Sequence, residues 1–250
     1  MGDLMVIEYS AYSYIGKTRK ENQDSVFISH NNMVCDRKDI VDISDIYEAD
    51  QPLIVAVFDG MGGEQEGGKA SYIAAWATSE VFKMRPDASL KYVCAIVNKS
   101  ICKYMEDNGI KSMGTTAAIV KTSEGKLVAC NIGDSSIFKI SNNRIKELSL
   151  KHIMVINHSG SNVLTQHLGI PENEMLIEPH SVAVKAKDGD LFLLCSDGLT
   201  DVLSEKDIKT IATETPVQSC SKKLVDAAVQ KGSKDNISVI VLKILKEGII

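Results

Sequence analysis

The sequence predicts an α+β protein in which antiparallel β-sheets carry helices on their outer faces. Three observations lead there. Strand-like apolar runs recur near 6–14, 25–30, 53–58, 115–121, 126–132, 135–141, 181–186, 190–195 and 237–244. Several follow one another through turns too short for a crossover, as at Ser123-Glu124-Gly125-Lys126. The helical patterns come in pairs instead of alternating with single strands, which argues against a βαβ series.

Each helical element has its own signature. Ile73, Ala77, Val81 and Met84 recur at i, i+4, i+8 and i+11, and Leu90, Val93, Val97 and Ile101 form a second stripe. Each stripe gives one apolar face to lay on a sheet. Two shorter helices fit 204–213, opening on Ser204 with Asp207 three residues on, and 216–230, opening on Pro216. The polar, acidic stretch 31–51 has the weakest pattern and reads as a surface excursion between two strands. With only five prolines, no low-complexity tract and no repeat, the chain reads as one domain over residues 1–250.

Composition excludes several function classes. At 44% hydrophobic and 24% charged residues, the chain can bury a core without staples. A net charge of −5 without a basic block excludes nucleic acid as the main partner, because binding a phosphate backbone needs clustered Lys and Arg. No apolar run approaches the ~18 residues of a membrane span. The start, MGDLMVIEYS, lacks the basic and apolar regions of a secretory signal, and Val6 stands where myristoylation at Gly2 calls for Ser or Thr. Cys35, Cys94, Cys102, Cys130, Cys195 and Cys220 form no C-x-x-C pair. They read as small buried hydrophobes in a reducing compartment, not as a zinc site. These readings give a cytoplasmic, monomeric protein.

The chemistry gathers where apolar strands end. Leu53–Phe58 runs straight into Asp59-Gly60, and Leu191–Cys195 into Ser196-Asp197-Gly198. Asp235-Asn236 precedes the run Ile237–Val241. If the strands at 190–195 and 237–244 are antiparallel neighbours, Asp197 and Asp235 meet at one sheet edge. Carboxylates packed there repel unless something compensates them. A hard divalent cation does so, and oxygen-only ligands favour Mg²⁺ or Mn²⁺ over zinc. Asp59 is then expected to be a metal ligand, with the Gly60 carbonyl open to a second ion. Arg19 and Asp24 flank the next strand start, and Asp134 lies in a turn between two strands. Taken alone, these last three read as a surface charge and turn residues.

In order along the chain stand RKENQD (19–24), VFDGMGG (57–63), MGTTAAIV (113–120), NIGDSS (131–136), NVLTQHLG (162–169), LLCSDGLTDVLS (193–204) and GSKDNISVIV (232–241). Seven ordered motifs covering nearly the whole chain resemble the metal-dependent Ser/Thr protein phosphatases, type 2C or PPM, and within them the small bacterial catalytic domains. The resemblance implies a four-layer αββα sandwich, two antiparallel sheets flanked by helices, with two Mn²⁺ or Mg²⁺ ions at one end. By that likeness Asp59 bridges the ions, and Asp197 and Asp235 complete one site. The Gly60 carbonyl serves the other, with Asp24 holding its waters. Arg19 clamps the phosphate, Asp134 with Asp197 forms a weaker third-metal site, and Asn236 orients Asp235. The implied substrates are phosphoproteins made by a Ser/Thr kinase. A metal-activated water would attack phosphorus directly, and neither C-x₅-R nor G-x-S-x-G occurs. The other reading is a non-catalytic metal-binding regulator or phosphoprotein-binding module on the same fold. It predicts loss of a ligand Asp, whereas Asp59, Asp197 and Asp235 are all present.

Four departures from the family pattern stand out. Met61 occupies the position where many eukaryotic relatives have His as the proposed general acid. Lys151 replaces the Asp of a DH pair at His152, leaving the histidine a packing or hydrogen-bonding residue. Ser136 replaces the usual Arg after the GDS turn. The flap segment between LSLKH and NVLTQHLG is also short.

Overall fold

The structure is a computed structural model that describes residues 5–30, 33–34, 41–48, 51–61, 66–123, 125–156 and 161–245. Cys35, Gly62, Gly63 and Glu124 lie outside the described residues. The first strands are β1 (Val6–Tyr14), β2 (Asp24–Ile28), β3 (Met33–Val34), β4 (Val41–Glu48) and β5 (Ile54–Met61). Helices α1 (Glu66–Met84) and α2 (Leu90–Asn108) follow. Next come β6 (Gly114–Thr115), β7 (Ala117–Ser123), β8 (Lys126–Ile132), β9 (Ser136–Ser141), β10 (Arg144–Glu147), β11 (Ile153–Ile156), β12 (Ser161–Leu164), β13 (His180–Lys185) and β14 (Leu191–Cys195). The chain continues through α3 (Asp197–Thr200), α4 (Glu205–Glu214), α5 (Val217–Gln230) and β15 (Ile237–Leu245).

Two large antiparallel sheets result. One runs β10-β9-β14-β15-β1-β4; the other runs β13-β8-β7-β5-β2-β3, with β6 paired to β5. Three apolar layers hold them. Val26, Val55, Val57, Phe192, Leu194 and Ile240 fill the space between the sheets. Phe58, Ile73, Val81, Val93, Val97 and Ile101 seal α1 and α2 onto the second sheet. Leu193, Val241, Ile208 and Leu224 seal α4 and α5 onto the first. Each fully buried side chain of this size contributes roughly 1.5–3 kcal/mol. This is the expected αββα sandwich.

The caps match their sequence signals. Ser204 and Asp207 form a reciprocal capping box on α4. Ser89 caps α2, which closes on Gly109 in the left-handed region. The main difference from expectation is the 31–51 stretch. Val41–Glu48 is no loose excursion but β4, paired with β1 from Val6↔Glu48 to Ser13↔Val41. Its alternation is real: Val41 is buried, and Ile43 and Tyr47 pack against the central layer. The interleaved Asp42, Ser44 and Glu48 mask that pattern in the composition. As an edge strand, β4 buries only one face.

Candidate metal centre

The five candidate carboxylates come from both sheets and meet at one end of the sandwich. Asp24 opens β2 and is the register partner of Asp59 on β5. Asp197 follows β14 and Asp235 precedes β15, and these strands are antiparallel neighbours with Cys195 opposite Val239. Asp134 lies where the chain crosses from β8 in one sheet to β9 in the other. The sheets are stitched together here. Ser196 Oγ donates to Asp24 Oδ2 at 2.8 Å and accepts the Ser238 N–H at 2.9 Å.

The backbone holds the carboxylates in place. The Asp59 carbonyl accepts from the Thr116 N–H at 2.9 Å and from Thr115 Oγ1 at 2.8 Å. The Asp59 N–H donates to Thr116 Oγ1 at 3.1 Å. With the backbone so engaged, the Asp59 side chain is left for other work. Gly60 passes so close to the start of α1 that a Cβ there would collide with the Gly67 carbonyl oxygen. Gly198 stands against the Asn236 carbonyl in the same way, which draws Asp197 and Asp235 together.

Electrostatics shows the cost of this crowding. Burial, then Asp24, Asp197, Asp134 and Asp235, push the Asp59 carboxyl well above the usual carboxylate range. Burial, then Asp134, Asp201, Asp235 and Asp24, raise Asp197 to about 7. Asp24 is raised to about 6, chiefly by burial, against hydrogen bonds from Ser238 and Ser196 that favour its charge. Asp134 is also raised, chiefly by burial. Asp24 Oδ1 is buried and has no hydrogen-bond partner. Among the described residues, no three His, Cys, Asp or Glu side chains stand together as a ready-made ion site. The donors form an open carboxylate-and-carbonyl set, which suits a hard ion that keeps waters. With an orphaned buried oxygen and mutually destabilised carboxylates, the residues fit Mg²⁺ or Mn²⁺.

Arg19 lies at the rim, where Nε and Nη2 grip the two Asp235 carboxylate oxygens at 2.8 and 2.6 Å. Its charge also acts on Asp59 and Asp197. A cleft of about 860 Å³ opens beside it, lined by Arg19, Lys20, Gln23, Asp201, Ser233 and Asp235. Asn236 works differently from the expectation. Its amide donates to the carbonyls of Ile15 at 2.8 Å and Glu21 at 3.0 Å and accepts the Gln23 N–H at 2.9 Å. It therefore fixes the loop that carries Arg19, while its backbone N–H is what donates to Asp235 Oδ1.

Sequence reading gave no role to three groups here. Ser196 and Thr116 bond to Asp24 and Asp59. Asp201 adds charge beside Asp197 and Asp235. The usable signal for Asp201 was its i+4 spacing from Asp197 in SDGLTD, which a helical turn brings alongside. Of the departures, Ser136 is buried and donates to Glu147 at 3.0 Å. His152 accepts the Gly133 N–H at Nδ1, 3.2 Å away. The short flap contains a hairpin, β11 with β12, that sequence reading did not find. Met61 ends β5 opposite Gly114.

Comparison with known proteins gives the family and the fold. The family model for protein phosphatase 2C matches residues 30–234. The serine/threonine phosphatase Stp of Listeria welshimeri is 28% identical over 91% of this chain and 92% of its own. The protein phosphatase PhpP of Streptococcus pneumoniae is 26% identical over 96% and 99%. The catalytic domain of the serine/threonine protein phosphatase PstP, solved with two manganese ions, superposes with a TM-score of 0.78 at 24% identity, covering 97% of this chain and all of its own. The chain belongs to the protein phosphatase 2C family.

Proposed function

We infer that this chain, as one domain, is a metal-dependent protein phosphatase that hydrolyses phosphoserine and phosphothreonine. It opposes a Ser/Thr kinase and works as a cytoplasmic monomer. The observation that carries the reading is the gathering of Asp24, Asp59, Asp134, Asp197 and Asp235 at one end of the sandwich, with Arg19 on the rim. No described helix is long and apolar enough to cross a membrane. Stp and PhpP, as named phosphatases, support the activity.

Asp59, Asp197, Asp235, the Gly60 carbonyl and Asp24 are the groups that would hold two Mn²⁺ or Mg²⁺ ions, with Asp134 and Asp197 at a weaker third and Asp201 adding charge beside it. Such ions, when bound, neutralise a phosphomonoester and lower the pKa of water toward neutral. The chain itself supplies position and charge. Arg19 exchanges its carboxylate partner for the phosphate, a match for its planar fork of donors. Thr115 and Thr116 keep the Asp59 backbone fixed. Buried thiols take no part: Cys220 is pushed up to about 12 and Cys195 higher still, chiefly by burial, so neither offers a thiolate. Met61 gives the leaving alkoxide no proton.

Two experiments bear on this. Purified protein with Mn²⁺ should release phosphate from phosphoserine and phosphothreonine peptides; saturable binding without release would favour the regulator reading. Arg19→Ala should raise KM and lower kcat on a phosphopeptide, for a combined loss of about 10–100-fold in kcat/KM. Arg19→Lys should recover only part, since a point charge lacks the fork. Wild-type kinetics in Arg19→Ala would return Arg19 to a role in holding Asp235.

A further inference from the structure

Next to the carboxylate cluster lies a second groove of about 680 Å³. Its walls are α2, the chain around 177–181, and a strap formed by Leu150, Lys151 and His152. The strap separates it from the candidate centre. Lys151 directs its charge at Asp134 and Asp201, whereas Leu150 and His152 line the groove.

The strap is rigidly held. The buried Asn131 amide donates to the Leu150 carbonyl at 2.8 Å and accepts its N–H at 2.9 Å. His152 N–H donates to the Gly133 carbonyl at 3.0 Å, and Gly133 returns a bond to the ring Nδ1. The opposite wall is tied by Gln166 Oε1, which accepts the Glu178 N–H at 3.0 Å. Yet the Leu150 side chain, on so fixed a backbone, is 56% exposed. Scattered exposed apolar residues are ordinary, but an exposed Leu on a fixed backbone at the wall of a pre-formed groove offers a contact.

We propose that this groove docks an apolar side chain of the phosphoprotein substrate, a few residues from the phosphorylated one. The inference rests on the phosphatase reading. Continuity with the carboxylate cluster names the occupant: His152 lines the groove and bonds Gly133, the neighbour of Asp134, and an extended chain covers ~3.3 Å per residue. Leu150, Ala95 and Ile177 meet the apolar side chain. Lys91, His152 and His180 offer donors at the rim to the backbone carbonyls of an extended segment. Because both walls are fixed before binding, little ordering entropy opposes docking.

The test uses phosphoserine peptides that differ only in where one Leu stands, from four residues before to four after the phosphoserine. Wild-type protein with Mn²⁺ should show about a tenfold gain in kcat/KM with Leu at one particular position. Leu150→Asp places a charge in the groove and Ala95→Phe fills it. In both, the gain should fall below about threefold, while hydrolysis of an aryl phosphate stays at the wild-type rate. A wild-type protein without a positional gain, or a gain kept in either variant, overturns the proposal. Equal losses on peptide and aryl phosphate also overturn it, since the groove would then act through the carboxylates. A wild-type protein that hydrolyses neither substrate overturns the phosphatase reading itself, and this inference with it.

Discussion

Asp59→Asn is expected to lower phosphatase turnover roughly a thousandfold or more while leaving the metal-free fold at least as stable. Groups beyond the ligands of a metal typically cost 10–100-fold when removed. A carboxylate expected to serve both ions should cost more, and more than Asp197→Asn or Asp235→Asn. The stability half follows from the crowding. Asp59 faces Asp24, Asp197, Asp134 and Asp235, and its carboxyl is held well above the usual range. The metal-free fold therefore disfavours the ionised carboxylate, and a neutral amide removes that penalty. The backbone bonds to Thr115 and Thr116 do not involve the side chain and survive the change. Turnover with Mn²⁺ and the thermal midpoint in EDTA, measured on the same preparation, decide it. Near-wild-type turnover rules out the shared-ligand role. A midpoint several degrees lower in EDTA would make Asp59 a structural residue.

Much of this centre was legible because strand ends are legible. An apolar run that stops at Asp-Gly, twice, fixes where Asp59 and Asp197 emerge, and the direct pairing of β14 with β15 delivers Asp235 to the same end. The third dimension was harder to read. Ser196 looks like a turn residue in SDG, but its hydroxyl joins the two sheets by bonding Asp24, 172 positions away. No local pattern carries a bond of that separation. The family likeness assigns Asn236 to Asp235, yet its amide reaches back to the loop of Arg19. β4 is hard to read because Asp42, Ser44 and Glu48 face outward on an edge strand and Asp45 interrupts the inward row of Val41, Ile43 and Tyr47. The β11–β12 hairpin was missed for a related reason: in a two-stranded sheet, short strands carry too few alternations to stand out.

Removing divalent ions should abolish activity, with Mn²⁺ or Mg²⁺ restoring it, and should also leave a pH-dependent weakness in the fold. In the folded chain Asp24 titrates near 6, Asp197 near 7 and Asp59 well above its ordinary value. Unfolded, all three return to about 3.9. The folded state thus binds more protons between those limits, so stability falls as pH rises. The stabilisation that comes from the protonated forms is complete below about pH 4 and is lost as pH climbs through 6 and 7. For these three groups, the thermal midpoint in EDTA should therefore decline from pH 5 to pH 8. A divalent ion reverses the sign locally, because it binds the ionised carboxylates and competes with their protons. At 100 times its dissociation constant it adds about 2.7 kcal/mol. For a chain of this size that is a rise of roughly 5–10 °C, at about 2–4 °C per kcal/mol. The rise with Mn²⁺ should be larger at pH 7.5 than at pH 5.5, where protons already neutralise the cluster. Full activity in chelated protein would remove the metal from the reaction. A midpoint in EDTA that stays level or climbs from pH 5 to 8, or an Mn²⁺ shift of equal size at both pH values, would show that the carboxylates are neither crowded nor relieved by the ion.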